Sequence, residues 1–556
     1  MRARFFPCLF FTLAAALPAQ EQLPSFWDDV PHTVLAGQIT DAMTDSELLA
    51  QIFMFGWAGG EPSREVIAWV EERSLGNIKI FGWDTFDTEK VASAVNLLQG
   101  LAGRGRFGIP LFVATDQEGG LIRHVKGRTS ETPGNLAIGA SAVPADAYYS
   151  GYYIAAELAA LGINLNFAPT VDLYTNHQST VIATRSFGED PQAAGILGAA
   201  FAKGTRDAGV LPTAKHFPGH GGTSLDSHGH LPVIGISPET LHNRELVPFR
   251  ALIDAGIPAI MSAHISFPRI TGSGEPATFS SYLLRTLLRQ ELGYQGLIIT
   301  DDIMMNGATQ YAGSVSRAVE MAILAGNDIV ESSTTPGFHD AFWTRNLRNM
   351  ERRPDFREAV KSAARRVIEA KLRYFKSGNS VPLQADTAAI PERVPAPGSG
   401  DFFLSQAAGA VTVLYGGEHL PVQGGGENML ITAAYQEFRD AGTARFPQAE
   451  TARMNAGIFQ LDFTRYDTVI FGVSSEANLE ILNTLRHYIP AHATVIAVAI
   501  QSPVLLSESP TPDAAIAMYS ASPFSFTAAF AALAGDFVPD GGLPLHNMHF
   551  AGGNGR

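Results

Sequence analysis

Short apolar runs alternate with longer segments of helical periodicity between residues 45 and 375. In one such segment, SYLLRTLLRQELG from Ser281, leucines recur at helical spacing and Gly293 supplies a stop. Eight strands alternating with helices predict a (β/α)8 TIM-type barrel over residues 26–375. The predicted strands are QIFMFGW (51–57), NIKIFGW (77–83), PLFVATD (110–116), INLNFAP (163–169), LPTAKHF (211–217), PAIMSAH (258–264), GLIITDD (296–302) and NDIVESS (327–333).

A second, smaller domain is predicted after the barrel. Residues 376–400 are rich in Pro, Gly and small polar residues, a composition typical of a linker. Beyond it, apolar runs with helix-like stretches between them predict an open C-terminal α/β sandwich domain of three layers over residues 401–556. Its predicted strands are AVTVLY (410–415), NMLITAA (428–434), DTVIFGVS (467–474), TVIAVAI (494–500) and AAIAMYS (514–520).

The first residues have the pattern of a secretory signal peptide. Arg2 and Arg4 precede an apolar run from Phe5 to Ala16, and Ala19 offers a cleavage point, so residues 1–19 are the predicted leader. The run is too short to span a bilayer comfortably. We therefore expect a secreted or periplasmic protein with no integral membrane segment in the mature chain; an uncleaved, membrane-tethered form is the alternative.

Composition and charge narrow the function classes. The chain has 556 residues, 46% of them hydrophobic, and a net charge of −15 from 39 Lys and Arg against 54 Asp and Glu. With that charge and no basic cluster, nucleic acid is not an expected partner. The single cysteine, Cys8, lies in the leader, so the mature chain is predicted to contain no disulfide, no multi-cysteine metal site and no cysteine nucleophile.

Polar residues gather at one end of the predicted barrel strands. Asp116, His216, His264, Asp301 and Glu331 all lie at or near the C-terminal ends of their runs. Because barrel enzymes build their active sites on that face, these residues are candidates for the site. Asp172, which follows the fourth run, is interpreted as a structural anchor for its loop.

The segment KHFPGHGGTSLDSHGHLP, from Lys215 to Pro232, has the composition of a catalytic loop. Asp226 stands two residues before His228, where a carboxylate can orient the imidazole and stabilise its charged form for proton transfer. A solvated surface loop is one alternative. A metal site is another, although no spacing here matches a helical HExxH pair; its ligands would be His216, His220, Asp226, His228 and His230.

Four blocks resemble glycoside hydrolase family 3, and within it the β-N-acetylglucosaminidase branch. They are TDQEGG (115–120), RSFGEDP (185–191), KHFPGHGG with DSH (215–228) and LRQELGYQGLIITDD (288–302); residues 521–545 resemble the end of that family's C-terminal domain. The resemblance implies Asp301 as nucleophile, His228 as acid/base residue and Asp226 as its support. It also implies sugar contacts in the −1 subsite by Asp116, Arg185, Lys215 and His216, to which strand-end position adds His264. No metal or cofactor is expected.

Several alternatives remain open at individual positions. Spacing alone does not separate Asp301 from Asp302 as nucleophile, and Asp116 could simply cap the segment after it. Arg185 could pair structurally with Glu189 or Asp190. Where the family usually has RVxR after DQEGG, this chain has Leu-Ile-Arg-His over 121–124, so an arginine contact is either shifted or supplied by Arg123.

Three hypotheses about function follow. The first is a retaining exo-β-N-acetylglucosaminidase that acts on peptidoglycan fragments or chitooligosaccharides, with an N-acetylglucosamine-containing oligosaccharide as partner. The second is a family 3 β-glucosidase or β-xylosidase, whose acid/base glutamate comes from the second domain; the intact DSH loop argues against it. The third is a sugar-binding homologue without activity. Sequence leaves open the aglycone, water or phosphate as acceptor, and the oligomeric state.

Overall fold

The structure is a computed structural model that describes residues 23–507, 509, 511–546, 548 and 550. The predicted signal peptide and its Cys8 lie outside the described residues. Over the part that is described, no helix combines the length and apolar character needed to cross a membrane.

The first domain is the predicted barrel. Its parallel sheet has the order β10-β1-β2-β3-β6-β7-β8-β9, and a parallel bridge between Ile299 and Ile329 joins the first strand to the last. All eight predicted strands are confirmed. They are β1 (Phe53–Trp57), β2 (Asn77–Ile80), β3 (Phe112–Thr115), β6 (Leu165–Asn166), β7 (Leu211–Phe217), β8 (Ala259–Ser262), β9 (Leu297–Thr300) and β10 (Val330–Ser332); β4 (Gln117–Gly119) and β5 (Ile122–Arg123) form a hairpin after β3.

Helices cover the outside of the barrel, so its strands are buried on both faces and read as continuous apolar runs. The segment after Ser281 is helical as predicted, in π-helical form over Tyr282–Glu291, and a second π-helical segment covers Leu241–Glu245. The α-helices are α1 (His32–Ala42), α2 (Asp45–Gln51), α3 (Arg64–Arg73), α4 (Thr88–Gly103), α5 (Asn135–Ser141), α6 (Pro144–Ala160), α7 (Pro191–Asp207), α8 (Pro238–Thr240), α9 (Leu246–Asp254), α10 (Pro268–Thr271), α11 (Asn306–Ala312), α12 (Val315–Ala325), α13 (Ala341–Arg352), α14 (Pro354–Phe375) and α15 (Ile390–Arg393).

The second domain is an α/β sandwich, as predicted. Its sheet has the order β11-β16-β15-β14-β12-β13, with β11 antiparallel to β16 and the other pairs parallel. Strand β13 was not predicted. The strands are β11 (Thr412–Tyr415), β12 (Met429–Ala433), β13 (Glu450–Arg453), β14 (Thr468–Val473), β15 (Thr494–Ala499) and β16 (Ala514–Ala517); the helices are α16 (Ser399–Ala410), α17 (Gln436–Arg445), α18 (Glu476–Leu485) and α19 (Pro523–Leu533).

The two domains share a hydrophobic core. One face of the second sheet packs on α17 and α19, with Ile431, Ile470 and Phe530 among the buried residues. The opposite face forms one buried cluster with residues of barrel helix α5, including Leu136 and Ala140. The second domain therefore braces the barrel next to the loops that follow β3 and β6.

Residues 376–400 lie along the barrel. Val381, Ile390 and Val394 in this segment are buried in the barrel's hydrophobic core cluster. The buried Glu157 of α6 accepts a 3.0 Å hydrogen bond from the amide of Ala396. The segment thus follows a fixed path over the first domain.

Candidate active site

Three strands bring a buried ion cluster to the C-terminal end of the barrel. Lys79 extends from β2, Asp116 follows β3, and Lys215 lies in β7. Lys215 Nζ donates to Asp116 Oδ1 at 2.5 Å, and Lys79 Nζ lies 2.9 Å from Asp116 Oδ2. Burial alone would raise the pKa of Asp116, but the two ammonium groups hold it well below its usual range. Asp116 is therefore a carboxylate held by two cations.

Glu118 continues this cluster to Arg185. Its Oε1 accepts from Lys215 Nζ at 2.5 Å and from Arg185 Nη2 at 2.7 Å, and its Oε2 accepts from Arg185 Nε at 2.9 Å. Burial opposes ionisation of Glu118, yet the charges of Arg185 and Lys215 lower its pKa to about 2. Arg185 thus pairs with Glu118, while Asp190 caps the start of α7 through the amides of Gln192 and Ala193.

His216 is oriented by Asp172. The Nδ1 of His216 lies 2.6 Å from Asp172 Oδ2, and its backbone amide donates to Asp172 Oδ1 at 3.1 Å. Asp172 also accepts from the amide of His220 at 2.7 Å. It therefore anchors its loop, as interpreted from the sequence, and in addition fixes the ring of His216, whose Nε2 lies 3.4 Å from Arg185 Nη2.

Asp301 directly follows β9. The amide of Asp302 donates to Asp301 Oδ1 at 2.8 Å. Burial would raise the pKa of Asp301, but the charges of His216 and His264 and this hydrogen bond bring it well below the ordinary value. An ionised carboxylate at a rigid strand end can act as a nucleophile.

His264 and Glu331 lie inside the protein. His264 is 0% exposed, and its ring nitrogens lie 2.9 Å from the carbonyl of Asp302 and 2.9 Å from Thr278 Oγ1. Glu331 is also buried, and its Oε1 lies 3.0 Å from Lys79 Nζ. This geometry favours a supporting role for His264 over sugar contact.

The Asp226 and His228 pair lies on the loop after β7. Asp226 Oδ1 lies 2.7 Å from His228 Nδ1 and accepts from the amide of His228 at 2.9 Å. The side chain of His228 is 73% exposed. The amide of Gly307 donates to the carbonyl of Ser227 at 3.0 Å, which ties the loop to the segment just after Asp302. An imidazole held through Nδ1 presents Nε2 outward for proton transfer.

The metal alternative has no ligand cluster in the described part of the chain, where no group of three or more His, Cys, Asp or Glu is arranged to hold an ion. His220, one of the candidate metal ligands, is buried. Burial, followed by the charge of His216, lowers the pKa of His220 to about 4.

The hairpin after β3 shows what replaces the family's RVxR pattern. Arg123 turns away from Asp116: its Nη1 donates to the carbonyl of Thr129 at 2.6 Å and its Nη2 lies 2.7 Å from Glu131. His124 Nδ1 instead lies 3.6 Å from Asp116 Oδ2. The residue that faces the site here is therefore His124, not Arg123.

The loop that carries Arg185 is held by residues of both domains. Asn135, the first residue of α5, donates to the carbonyl of Arg185 at 2.7 Å. The amide of Glu189 donates to the carbonyl of Pro544 at 3.1 Å, and Glu189 Oε2 accepts from the amide of His546 at 2.8 Å. Glu189 Oε1 also contacts His177. Residues that follow α19 thus fasten the loop on which Arg185 lies.

Lys79 and Glu118 were not identified as site residues from the sequence. Each of the two residues has a feature in the sequence that points to a polar site inside the barrel. Lys79 is a charged residue inside an apolar strand, which requires a buried partner. Glu118 stands two residues after Asp116, and residues two apart in an extended segment point to the same side.

The known proteins to which this chain is similar include glycoside hydrolases. The family model for the glycosyl hydrolase family 3 N terminal domain matches residues 43–370. "Beta-hexosaminidase A" of Pseudoalteromonas piscicida is 38% identical over 275 residues, which are 47% of this chain and 46% of that protein. This chain therefore spans less than half of that relative's length.

In two further relatives, the match to this chain covers a larger share of the relative's own length. "Beta-hexosaminidase" of Thiobacillus denitrificans is 34% identical over 272 residues, 48% of this chain and 73% of that protein. The solved structure of a glycoside hydrolase family 3 β-N-acetylglucosaminidase from Paenibacillus is 26% identical, with a TM-score of 0.79 over 91% of this chain and 99% of that one. The likeness to that structure extends over both domains.

Proposed function

Because the chain belongs to glycosyl hydrolase family 3, we propose that it is a retaining exo-β-N-acetylglucosaminidase that removes terminal N-acetylglucosamine from peptidoglycan fragments or chitooligosaccharides. One observation carries the proposal: the hydrogen-bonded pair of Asp226 and His228 lies on a loop tied to the segment after Asp301. A carboxylate nucleophile is thereby combined with a histidine as proton donor. The names of the β-hexosaminidase relatives support the same substrate class.

In the first step, Asp301 attacks the anomeric carbon and forms a covalent glycosyl ester as the glycosidic bond breaks. The leaving oxygen takes a proton from His228 Nε2, so that it departs as a neutral hydroxyl. Asp226 stabilises the charged imidazole before this transfer. Its own pKa is lowered, since hydrogen bonds from the backbone and side chain of His228 outweigh its partial burial.

In the second step, His228, now neutral, removes a proton from a water molecule that attacks the same carbon. The ester bond to Asp301 breaks, its carboxylate is restored, and N-acetylglucosamine leaves with its original anomeric configuration. The histidine regains its proton and the cycle closes.

The ion cluster around Asp116 is suited to binding the sugar in the −1 subsite. Its charged and polar groups hold one another in position through direct contacts. They belong to Asp116, Lys215, Arg185 and His216. Fixed polar groups bind hydroxyl and acetamido groups without the entropic cost of ordering long side chains.

A panel of nitrophenyl glycosides tests the proposal. Cleavage of the N-acetylglucosaminide, with the β-anomer as first product by NMR, is the expected result. Preference for the glucoside or xyloside would move the protein to the glucosidase branch, and no cleavage of any substrate would identify a binding homologue.

The proposed acid/base residue can be separated from a second-domain carboxylate. Glu418→Ala and Glu427→Ala are expected to leave kcat/KM within a few fold. A loss of several hundredfold that added azide restores would show that a carboxylate of the second domain supplies the proton.

The proposed location is the periplasm or the medium, on the pattern of residues 1–19. Fractionation followed by N-terminal sequencing of the protein tests it. A chain that begins at Met1 and stays in the cytoplasm would contradict it.

A further inference from the structure

We propose that Trp83 forms a second sugar-binding subsite, which stacks on the ring next to the terminal sugar on its reducing side. This inference rests on the proposed function, because it names the aglycone that the same site accepts. The ligand class is a hexosamine ring in the +1 position.

Trp83 is unusually exposed for its type. Its residue surface is 67% accessible, as is that of Phe86 in the same loop, whereas large aromatic residues are generally well buried. Leu121, at the tip of the adjacent β4–β5 hairpin, is 55% accessible. Exposed apolar side chains thus lie on both of the loops that follow β2 and β3, and exposed apolar surface of this kind can mark a binding site.

One face of the Trp83 ring is already occupied. Phe81 stacks on it with ring centroids 5.0 Å apart and an interplanar angle of 12°. The backbone is fixed as well: the amide of Phe81 donates to the carbonyl of Trp57 at 3.0 Å, and that of Trp83 donates to the carbonyl of Phe81 at 2.9 Å. The exposed indole is therefore held in place before a ligand arrives.

The loop also packs closely on the hairpin that follows Asp116. A Cβ on Gly82 would come within 3.0 Å of the carbonyl of His124, and Thr85 Oγ1 donates to that carbonyl at 2.6 Å. A larger residue at position 82 would separate the loop from the hairpin. The position of Trp83 is thus coupled to the segment that presents Asp116.

A short series of contacts connects Trp83 to the proposed −1 subsite. Phe81 lies under Trp83; Lys79 Nζ lies 4.3 Å from the centroid of the Phe81 ring and 2.9 Å from Asp116 Oδ2. The Phe81 ring is also 5.7 Å from that of His124, which faces Asp116. The aromatic pair therefore rises from the ion cluster towards solvent, the direction in which the rest of an oligosaccharide leaves an exo-acting site.

The chemistry of the two surfaces is complementary. The face of an aromatic ring carries partial negative charge, and a pyranose presents a face of C–H groups with partial positive charge. An indole is large enough to cover one such ring. A sugar aglycone gains this contact, whereas a methyl aglycone is too small to reach it.

The test compares Trp83→Ala with wild type on substrates that differ only in the aglycone. Methyl β-N-acetylglucosaminide fills the −1 position alone, while chitobiose and N-acetylglucosaminyl-β-1,4-N-acetylmuramic acid add a second ring. We expect kcat/KM for both disaccharides to fall about tenfold, with the methyl glycoside changed less than twofold. Trp83→Phe should retain most of the disaccharide rate, and a loss confined to one disaccharide would identify the natural aglycone.

Trp27→Ala is the matched control. Trp27 is 50% exposed and packs on Phe26 beside Gly108, at the opposite end of the barrel, so its loss should change none of these rates. Equal losses of Trp83→Ala on all substrates, no loss on either disaccharide, or a changed oligomeric state with unchanged rates would each overturn the subsite. Failure of the wild type on every substrate would instead overturn the proposed function.

Discussion

Asp301 and Asp302 are adjacent, yet their carboxylates have different surroundings. The amide of Asp302 donates to Asp301 Oδ1, while Asp302 Oδ1 accepts from the amides of Met304 at 3.0 Å and Ser333 at 2.9 Å. Asp302 therefore holds two backbone segments together. Asp301 is left as the carboxylate of the pair that is available for attack.

This difference predicts opposite outcomes for two substitutions. Asp301→Ala should lower kcat at least about a thousandfold, as expected when a nucleophile is removed, with an unchanged melting temperature. Asp302→Asn keeps an oxygen that accepts from both amides and should retain appreciable activity. Mass spectrometry with a slow fluorinated substrate should place the covalent label on Asp301, and a label on Asp302 would reverse the assignment.

Substitution of His228 should affect substrates according to their leaving group. Protonation matters most for a poor leaving group, so His228→Ala is expected to lower kcat/KM, which covers the steps through formation of the glycosyl ester, about a hundredfold or more on chitobiose and much less on a nitrophenyl glycoside. Asp226→Ala should give the same pattern in milder form. Equal losses in kcat/KM on both substrates would indicate a collapsed site.

The connection between Glu189 and the segment after α19 predicts an effect on substrate binding. Glu189→Ala removes the acceptor for the amide of His546 and frees the loop that carries Arg185, so KM should rise about tenfold while kcat stays within a few fold. Glu189→Gln keeps an acceptor oxygen and should restore part of the affinity.

Glu437→Ala, at an exposed position of α17, is the control for this pair and should change neither constant. Melting curves of all three variants exclude simple unfolding. A fall in kcat at constant KM would show that Glu189 acts on the chemical step and not on the position of Arg185.

Lys371 predicts an unusual pH dependence of stability. It is buried at the N-terminal end of the barrel, where its Nζ donates to the carbonyl of Gly76 at 2.6 Å, and burial lowers its pKa to about 7. Between pH 7 and about 10.4 the unfolded chain holds a proton that the folded chain lacks. The free energy of unfolding therefore rises with pH across this window, by up to about 5 kcal/mol.

Chemical denaturation from pH 6 to pH 10 measures this slope. Lys371→Met should reduce the slope and stabilise the protein at pH 6, where wild type must bury a charge. Lys90→Met, at an exposed position of α4, should leave the slope unchanged. An equal slope in wild type and Lys371→Met would show that Lys371 stays charged in the folded protein.

The barrel could be predicted because its strands are buried on both faces. Runs such as LIIT (297–300) have no polar alternation, and the helical segments between them fix the parallel arrangement. Strand β13 could not be found in this way. It is a largely exposed edge strand with the sequence ETAR, and its position depends on pairing with β12, which no local pattern encodes.

The candidate site was predictable only in part for a related reason. Asp116, His216 and Asp301 stand at strand ends, and this placement is visible in the sequence. The partners of Arg185 are not, since Glu118 is 67 residues away and meets it only through the closure of the barrel. The sequence instead suggested Glu189 and Asp190 as partners of Arg185, because both are near it along the chain.

The buried ion cluster has a consequence for the evolution of such proteins. Its members are the cations Lys79, Lys215 and Arg185 and the carboxylates Asp116 and Glu118. Removal of one member of a buried ion pair leaves an uncompensated charge and costs about 3–5 kcal/mol, so natural selection for folding alone maintains these positions. A descendant that no longer needed catalysis would lose Asp301 or His228 first and keep the cluster. Where the cluster does change, both members of a pair such as Glu118 and Arg185 should change together. Covariation, and not invariance of single residues, is therefore the pattern by which such a cluster would be recognised among distant relatives.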